Sequence, residues 1–100
     1  MEKRTPHYEL AAIKIRVEEM GAAAFTKTAL DGGRALGLTL PDMLAVIAAL
    51  ARRDFYKSMT VFGDHRIWQD VYHAQTPPGK IAYIKVTMRD GAVVIQFKEK

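Results

Sequence analysis

Apolar residues recur along the first half of the chain with a helical period. Leu10, Ile13, Val17 and Met20 fall on one face of a helix, while Lys14, Arg16, Glu18 and Glu19 lie largely off it. Gly21 ends that segment. Ala22–Phe25 is short and apolar and predicts a brief strand. Thr26 is placed to cap a second helix running to about Ala35, with Gly37 beyond its end. Gly32-Gly33 inside it costs about 1 kcal/mol per glycine relative to alanine, which predicts a weak or broken helix. The third helix is the clearest. Thr39 and Asp42 have capping-box spacing, Pro41 falls in the first turn, and Met43, Val46, Ile47 and Leu50 form one buried stripe.

The period then changes to two. Strands are predicted over about 55–62, 66–73, 80–89 and 92–98, with Gly63-Asp64 at the first turn and a proline-containing loop, Gln75–Gly79, before the third strand. Asp90-Gly91 between two alternating runs is a strong hairpin signal. Helices followed by an antiparallel meander give an α+β domain, with the N-terminal helices packed on one face of a mainly antiparallel sheet. At 100 residues a single domain, 1–100, is expected, since two separate cores would each be too small.

A two-residue loop at Asp90-Gly91 fixes the register of the last hairpin. Met88–Val93, Val86–Ile95 and Ile84–Phe97 then form an apolar core face, and Thr87–Val94, Lys85–Gln96 and Tyr83–Lys98 the other. Tyr83 and Lys98 thus become direct cross-strand partners on the solvent side. Strand propensity and edge solubility account for them without function. The first hairpin is open. With an odd loop such as Gly63–His65, Lys57, Met59 and Gln69 share a face and Trp68 lies against the core; with an even loop they do not.

Charge changes this picture. Residues 1–51 hold six Lys/Arg against six Asp/Glu, and residues 52–100 nine against five, so the whole net charge of +4 sits in the strand-rich half. That bias suggests a polyanionic partner such as nucleic acid, although many basic domains bind none. The absence of cysteine excludes disulfides and thiolate metal sites and points to a reducing cytoplasm. No apolar core follows the basic start, so no secretory signal is expected, and the longest apolar run, Met43–Ala51, is too short to span a bilayer.

The candidate chemistry is narrow. His7, His65 and His73 lack the spacings of zinc ligands, and Asp64-His65 reads more simply as turn chemistry, so no metal or other cofactor is expected. No phosphate-binding glycine loop or nucleophile elbow is present. RNA cleavage by the ribose 2′-OH remains open, because it needs in-line positioning, two proton transfers and charge stabilisation, but no metal. Two histidines, His65 and His73, are one candidate set. Lysines with tyrosines are the other, supplied by Tyr56, Lys57, Tyr83, Lys85 and Lys98, with an exposed aromatic to stack a base.

The strings MEKRTPH, DFYKSMT, DHRIWQDVY and FKEK together resemble the MqsR family of toxins from bacterial toxin–antitoxin pairs, and the resemblance runs the length of the chain. It implies a RelE-like toxin fold and an mRNA interferase that cuts mRNA at GC-containing triplets, GCU being preferred. It places the family's active-site residues on Lys57, Gln69, Tyr83 and Lys98, and RNA binding on Tyr56; Lys85, from the lysine–tyrosine set above, is the second RNA-binding candidate. It also implies an MqsA-like antitoxin partner with zinc-binding and helix-turn-helix parts, through which operator DNA would be met only indirectly. Convergence of Lys57 with Gln69 favours an odd or bulged first hairpin. A non-catalytic RNA-binding module, or a regulatory module that acts by binding an antitoxin, are the competing classes.

Overall fold

The computed structural model describes all 100 residues. Its elements are β1 (Glu2–Lys3), α1 (Leu10–Met20), α2 (Lys27–Ala35), α3 (Leu40–Ala49), β2 (Phe55–Val61), β3 (Asp64–Gln75), β4 (Ile81–Arg89) and β5 (Ala92–Glu99), with 3₁₀ turns at Gly21–Ala24 and Arg52–Asp54. The five strands form one antiparallel sheet in the order β1-β2-β3-β4-β5. The helices cover one face, which is the α+β arrangement the periodicity predicts. No helix is long and apolar enough to cross a membrane.

The core forms where the two periodicities meet. Ile13 and Val17 of α1, and Met43, Val46 and Ile47 of α3, pack with Tyr72, Ile84, Val86, Ile95 and Phe97 from the sheet in one buried cluster. These are the residues at helical spacing on the one side and at alternate strand positions on the other. The caps match their sequence signals. The Thr26 hydroxyl accepts from Ala29 N at 3.0 Å, and Thr39 and Asp42 exchange backbone-to-side-chain bonds in both directions. Those bonds hold the Asp42 carboxyl below the usual carboxylate range.

Two helical-half expectations change. Ala22–Phe25 is not a strand: Gly21, at φ 58°, ends α1, and the small alanines wind into a 3₁₀ turn. Only Phe25 pairs with the sheet, through a single parallel bridge to Ile95, with Thr26 N donating to Ile95 O at 3.1 Å. Helix α2 is also unbroken through Gly32-Gly33. A Cβ on Gly32 would stand 2.1 Å from Phe97 O, and one on Gly33 2.2 Å from Met43 Sδ. The glycines let α2 lie against β5 and α3, and the packing gained outweighs their poor helix propensity.

The β4–β5 hairpin has the expected register throughout, from Arg89–Ala92 to Tyr83–Lys98. Its turn residues Asp90 (φ 52°) and Gly91 (φ 78°) are both left-handed, as a two-residue turn of this type requires. The β2–β3 hairpin is less regular. Phe62-Gly63 make the turn with Val61 paired to Asp64, yet Thr60 pairs with Trp68, so three residues of β3 are extruded opposite none on β2. A second shift occurs at Tyr56. Between the shifts Lys57 pairs with Val71, Ser58 with Asp70 and Met59 with Gln69. The bulge therefore produces the register that an odd loop would have given.

Trp68 lies on the helical side of the sheet, as that register requires, but it is covered by the N-terminal segment instead of the core. His7 stacks on its ring at 5.3 Å, Lys3 Nζ stands 4.3 Å from its centroid, and Tyr8 donates its hydroxyl to Trp68 O at 2.9 Å. The strap is pinned by Asp70, 1% exposed, whose carboxylate accepts from His7 N, Tyr8 N and Ser58 Oγ at 3.0, 2.8 and 2.6 Å. A buried carboxylate is tolerated because donors surround it. Pinned in this way, residues 2–3 add β1 to the sheet edge, pairing Glu2 with Met59. Two residues are too short to show a period, so nothing in the pattern predicts this strand.

Candidate active site on the open face of the sheet

The face away from the helices carries its side chains in rows set by the register. One row is Lys57–Val71–Lys85–Gln96, read across β2 to β5. The next row toward the Lys98 end is His73–Tyr83–Lys98. On the opposite side of the Lys57 row lie Met59 and Gln69. Successive rows are about 7 Å apart and adjacent strands about 5 Å. Lys57, Gln69, Tyr83, Lys85 and Lys98 thus share one face, with Gln69 diagonal to Lys57.

Tyr56 joins them through the irregularity of its own strand. The register shift between Phe55 and Lys57 leaves it unpaired and 44% exposed, and its ring stacks on His73 at 4.5 Å. His73 in turn lies 5.4 Å from the Tyr83 ring, and Lys98 Nζ stands 5.6 Å from the same ring on its other flank. Lys57 Nζ and the Arg4 guanidinium approach the Tyr56 ring at 5.4 and 5.8 Å. The result is an aromatic ladder, Tyr56–His73–Tyr83, edged by cations.

The cations differ in their proton affinity. Lys57 donates to Glu2 Oε1 at 2.5 Å, and this bond raises its pKa against the opposing effect of burial. The same bond, with the Lys57 charge, lowers that of Glu2. Lys85 is pushed the other way, first by burial and then by the charge of Lys98. His73 is also lowered, by burial and then by Lys100, and its buried Nε2 has no hydrogen-bond partner. Lys57 therefore holds its proton more firmly than an ordinary lysine, and Lys85 and His73 hold theirs less firmly than an ordinary lysine and imidazole.

The two-histidine scheme is not assembled. His65 lies in the extruded part of β3 and His73 eight residues further along the same strand, about 26 Å away if extended. Glu2 is the residue the sequence did not offer. It reaches the face only because Asp70 pins the strap, and a charged residue near the start of a chain carries no signal of that.

Two of the surface depressions bear on where a ligand could sit. The larger, about 470 Å³ between α1 and α3, is mostly apolar and holds only Lys14 and Glu18 as charged groups; Lys14 is already bonded to Leu50 O at 2.9 Å. The smaller, about 330 Å³, lies between the first turn of α2 and Tyr83, Lys85, Gln96 and Lys98. The candidate residues Tyr83, Lys85 and Lys98 line the smaller one.

Known proteins match this chain along its whole length. The family model described as "Motility quorum-sensing regulator, toxin of MqsA" covers residues 5–99. The mRNA interferase toxin MqsR of Escherichia coli (strain K12) is 43% identical over 100 residues, which is all of both chains.

Proposed function

The chain belongs to the MqsR toxin family, and from that premise we propose that it is an endoribonuclease of the mRNA-interferase type. Its substrate is mRNA, cut at GC-containing triplets with GCU preferred, and an MqsA-like antitoxin neutralises it. The observation that carries this reading is the gathering of Lys57, Tyr83, Lys85 and Lys98 on one open face, beside the partly exposed ring of Tyr56.

The reaction supplies its own nucleophile. As the ribose 2′-OH loses its proton, its oxygen attacks the adjacent phosphorus; the P–O5′ bond breaks and the 5′-oxygen gains a proton. The products are a 2′,3′-cyclic phosphate, which hydrolyses to a 3′-phosphate, and a 5′-hydroxyl. The protein must hold the in-line geometry, move two protons and stabilise the negative phosphorane. Lys57, kept charged by Glu2, suits charge stabilisation. Lys98 binds the phosphate and, with Tyr83, serves proton transfer. Lys85 adds a second cation, Gln69 holds substrate through its amide, and Tyr56 stacks a base. Phosphate entering the site displaces the Glu2 carboxylate from Lys57.

Cleavage-site mapping on a defined RNA containing GCU, with EDTA present, tests this. Cuts at the triplet with 5′-hydroxyl ends are expected. Loss of cleavage in EDTA, or retention of it in a Lys57→Ala/Lys98→Ala double variant, overturns the mechanism. A protein that retards RNA in a gel and never cuts it is an RNA-binding module instead.

A further inference from the structure

The pocket of about 330 Å³ beside the lysines has features that phosphate chemistry does not require. One wall is the first turn of α2, with Thr28 and Ala29; the other is the end of the open face, with Tyr83, Lys85, Gln96 and Lys98. That wall is fixed in place. Thr26 N is bonded to Ile95 O, and Gly32 lets α2 close onto the Phe97 carbonyl, so the helix cannot drift from β5. The Thr26 hydroxyl is already committed to Ala29 N. Gln96, directly across from Lys85, is the one amide in the lining and presents a donor and an acceptor side by side, with the Thr28 hydroxyl on the helix wall.

We propose that this pocket is a nucleobase subsite, which takes the single nucleotide adjoining the scissile phosphate and in which Gln96 reads the edge of the base. The inference rests on the endoribonuclease reading above. The volume lies near the lower end of the ~300–1,000 Å³ typical of small-molecule sites, so it holds one nucleotide and not two. Lys85 and Lys98 on the same wall hold the phosphate on either side of that nucleotide, and the Tyr83 ring offers an apolar surface to the base. An amide can pair with two neighbouring atoms of a base edge at once, which lets it discriminate among bases where a lysine cannot.

The experiment is cleavage of an RNA library randomised at each position of the GCU triplet and at its flanks, alongside NMR titration of the full chain with each of the four nucleoside 5′-monophosphates. Wild type is expected to show a base preference at one position neighbouring the cut, which Gln96→Ala reduces about ten-fold or more while the other positions keep theirs. Thr28→Phe, which fills the pocket from a surface position, is expected to raise KM more than it lowers kcat. In the titration, shifts of the Gln96 side-chain amide and the Thr28 backbone amide are expected with at least one nucleotide. Wild-type preferences retained in both variants overturn the subsite and leave the nuclease intact. A library that wild type fails to cut overturns the nuclease reading, and the titration then decides the pocket alone: absence of shifts at Gln96 and Thr28 overturns it.

Discussion

The two hairpins of this sheet are built by opposite means. The β4–β5 hairpin alternates strictly, turns on Asp90-Gly91 and keeps one register along its whole length. The β2–β3 hairpin shifts register twice, at Tyr56 and beyond Thr60, and needs the N-terminal strap to cover Trp68. Each contributes half of the candidate site. The regular hairpin presents Tyr83, Lys85, Gln96 and Lys98 by simple alternation. The irregular one uses a bulge to turn Lys57 and Gln69 to the open face, and a second irregularity to release Tyr56. Regularity makes a rigid platform, and bulges re-aim side chains that alternation alone would misplace.

The largest expected effect comes from removing one cation from each hairpin. Lys57→Ala and Lys98→Ala should each lower kcat/KM on a GCU-containing RNA by about 10²–10³-fold, the scale of losing one preorganised charge-stabilising donor. The double variant should show no cleavage, measured by single-turnover assays with circular dichroism to confirm folding. A Lys98→Ala loss far exceeding that of Lys57→Ala would locate the chemistry on the regular hairpin alone.

Next come the hairpins' anchors. Asp70→Ala should destabilise the protein by about 3 kcal/mol, because it strands buried Ser58 and two backbone N–H groups that now bond a carboxylate. Gly91→Ala should cost about 1 kcal/mol, from forcing a side chain onto φ 78°. Urea denaturation measures both. Only Asp70→Ala should also reduce cleavage, since it frees the strap and cuts the Ser58–Asp70 bond that ties β2 beside Lys57 to β3 beside Gln69. Equal losses of activity in the two variants would mean that the strap does not organise the site.

Legibility in the sequence follows the same division. The β4–β5 register could be written from Asp90-Gly91 and the apolar alternation, and the opposed Tyr83–Lys98 pair followed from it. The capped helices were equally legible, since Thr26 and Thr39–Asp42 are local signals with local causes. The Lys57–Gln69 relation was not, because a period of two cannot say where a strand extrudes three residues. The intact α2 was hidden for another reason. Helix propensity reports what Gly32 and Gly33 lack, while their close approaches to Phe97 and Met43 depend on elements far away in sequence. Glu2 was least visible of all: its place depends on a strap held by Asp70, 63 residues from His7.

The smallest effect concerns that carboxylate and sharpens what the irregular hairpin adds. Glu2 and Lys57 bond each other at the solvent-exposed edge, so salt screens the pair and its contribution to stability is slight. Its pH window follows from the two shifts. Lys57 is raised, so its contribution is present below the ordinary lysine value of 10.5 and lost as pH climbs through the raised one. Glu2 is lowered, so its contribution is present above the ordinary carboxylate value of 4.5 and lost as pH falls through the lowered one. At neutral pH the pair is complete, and in the proposed reaction RNA phosphate competes with Glu2 for the ammonium. Glu2→Gln should therefore bind a non-cleavable 2′-deoxy GCU analogue a few-fold more tightly at low salt, with the advantage fading as salt rises. It should also move any alkaline decline in activity that depends on charged Lys57 to lower pH, because the bond raising that pKa is gone. Weaker binding by the variant would give Glu2 the opposite role, that of holding Lys57 in position for the phosphate.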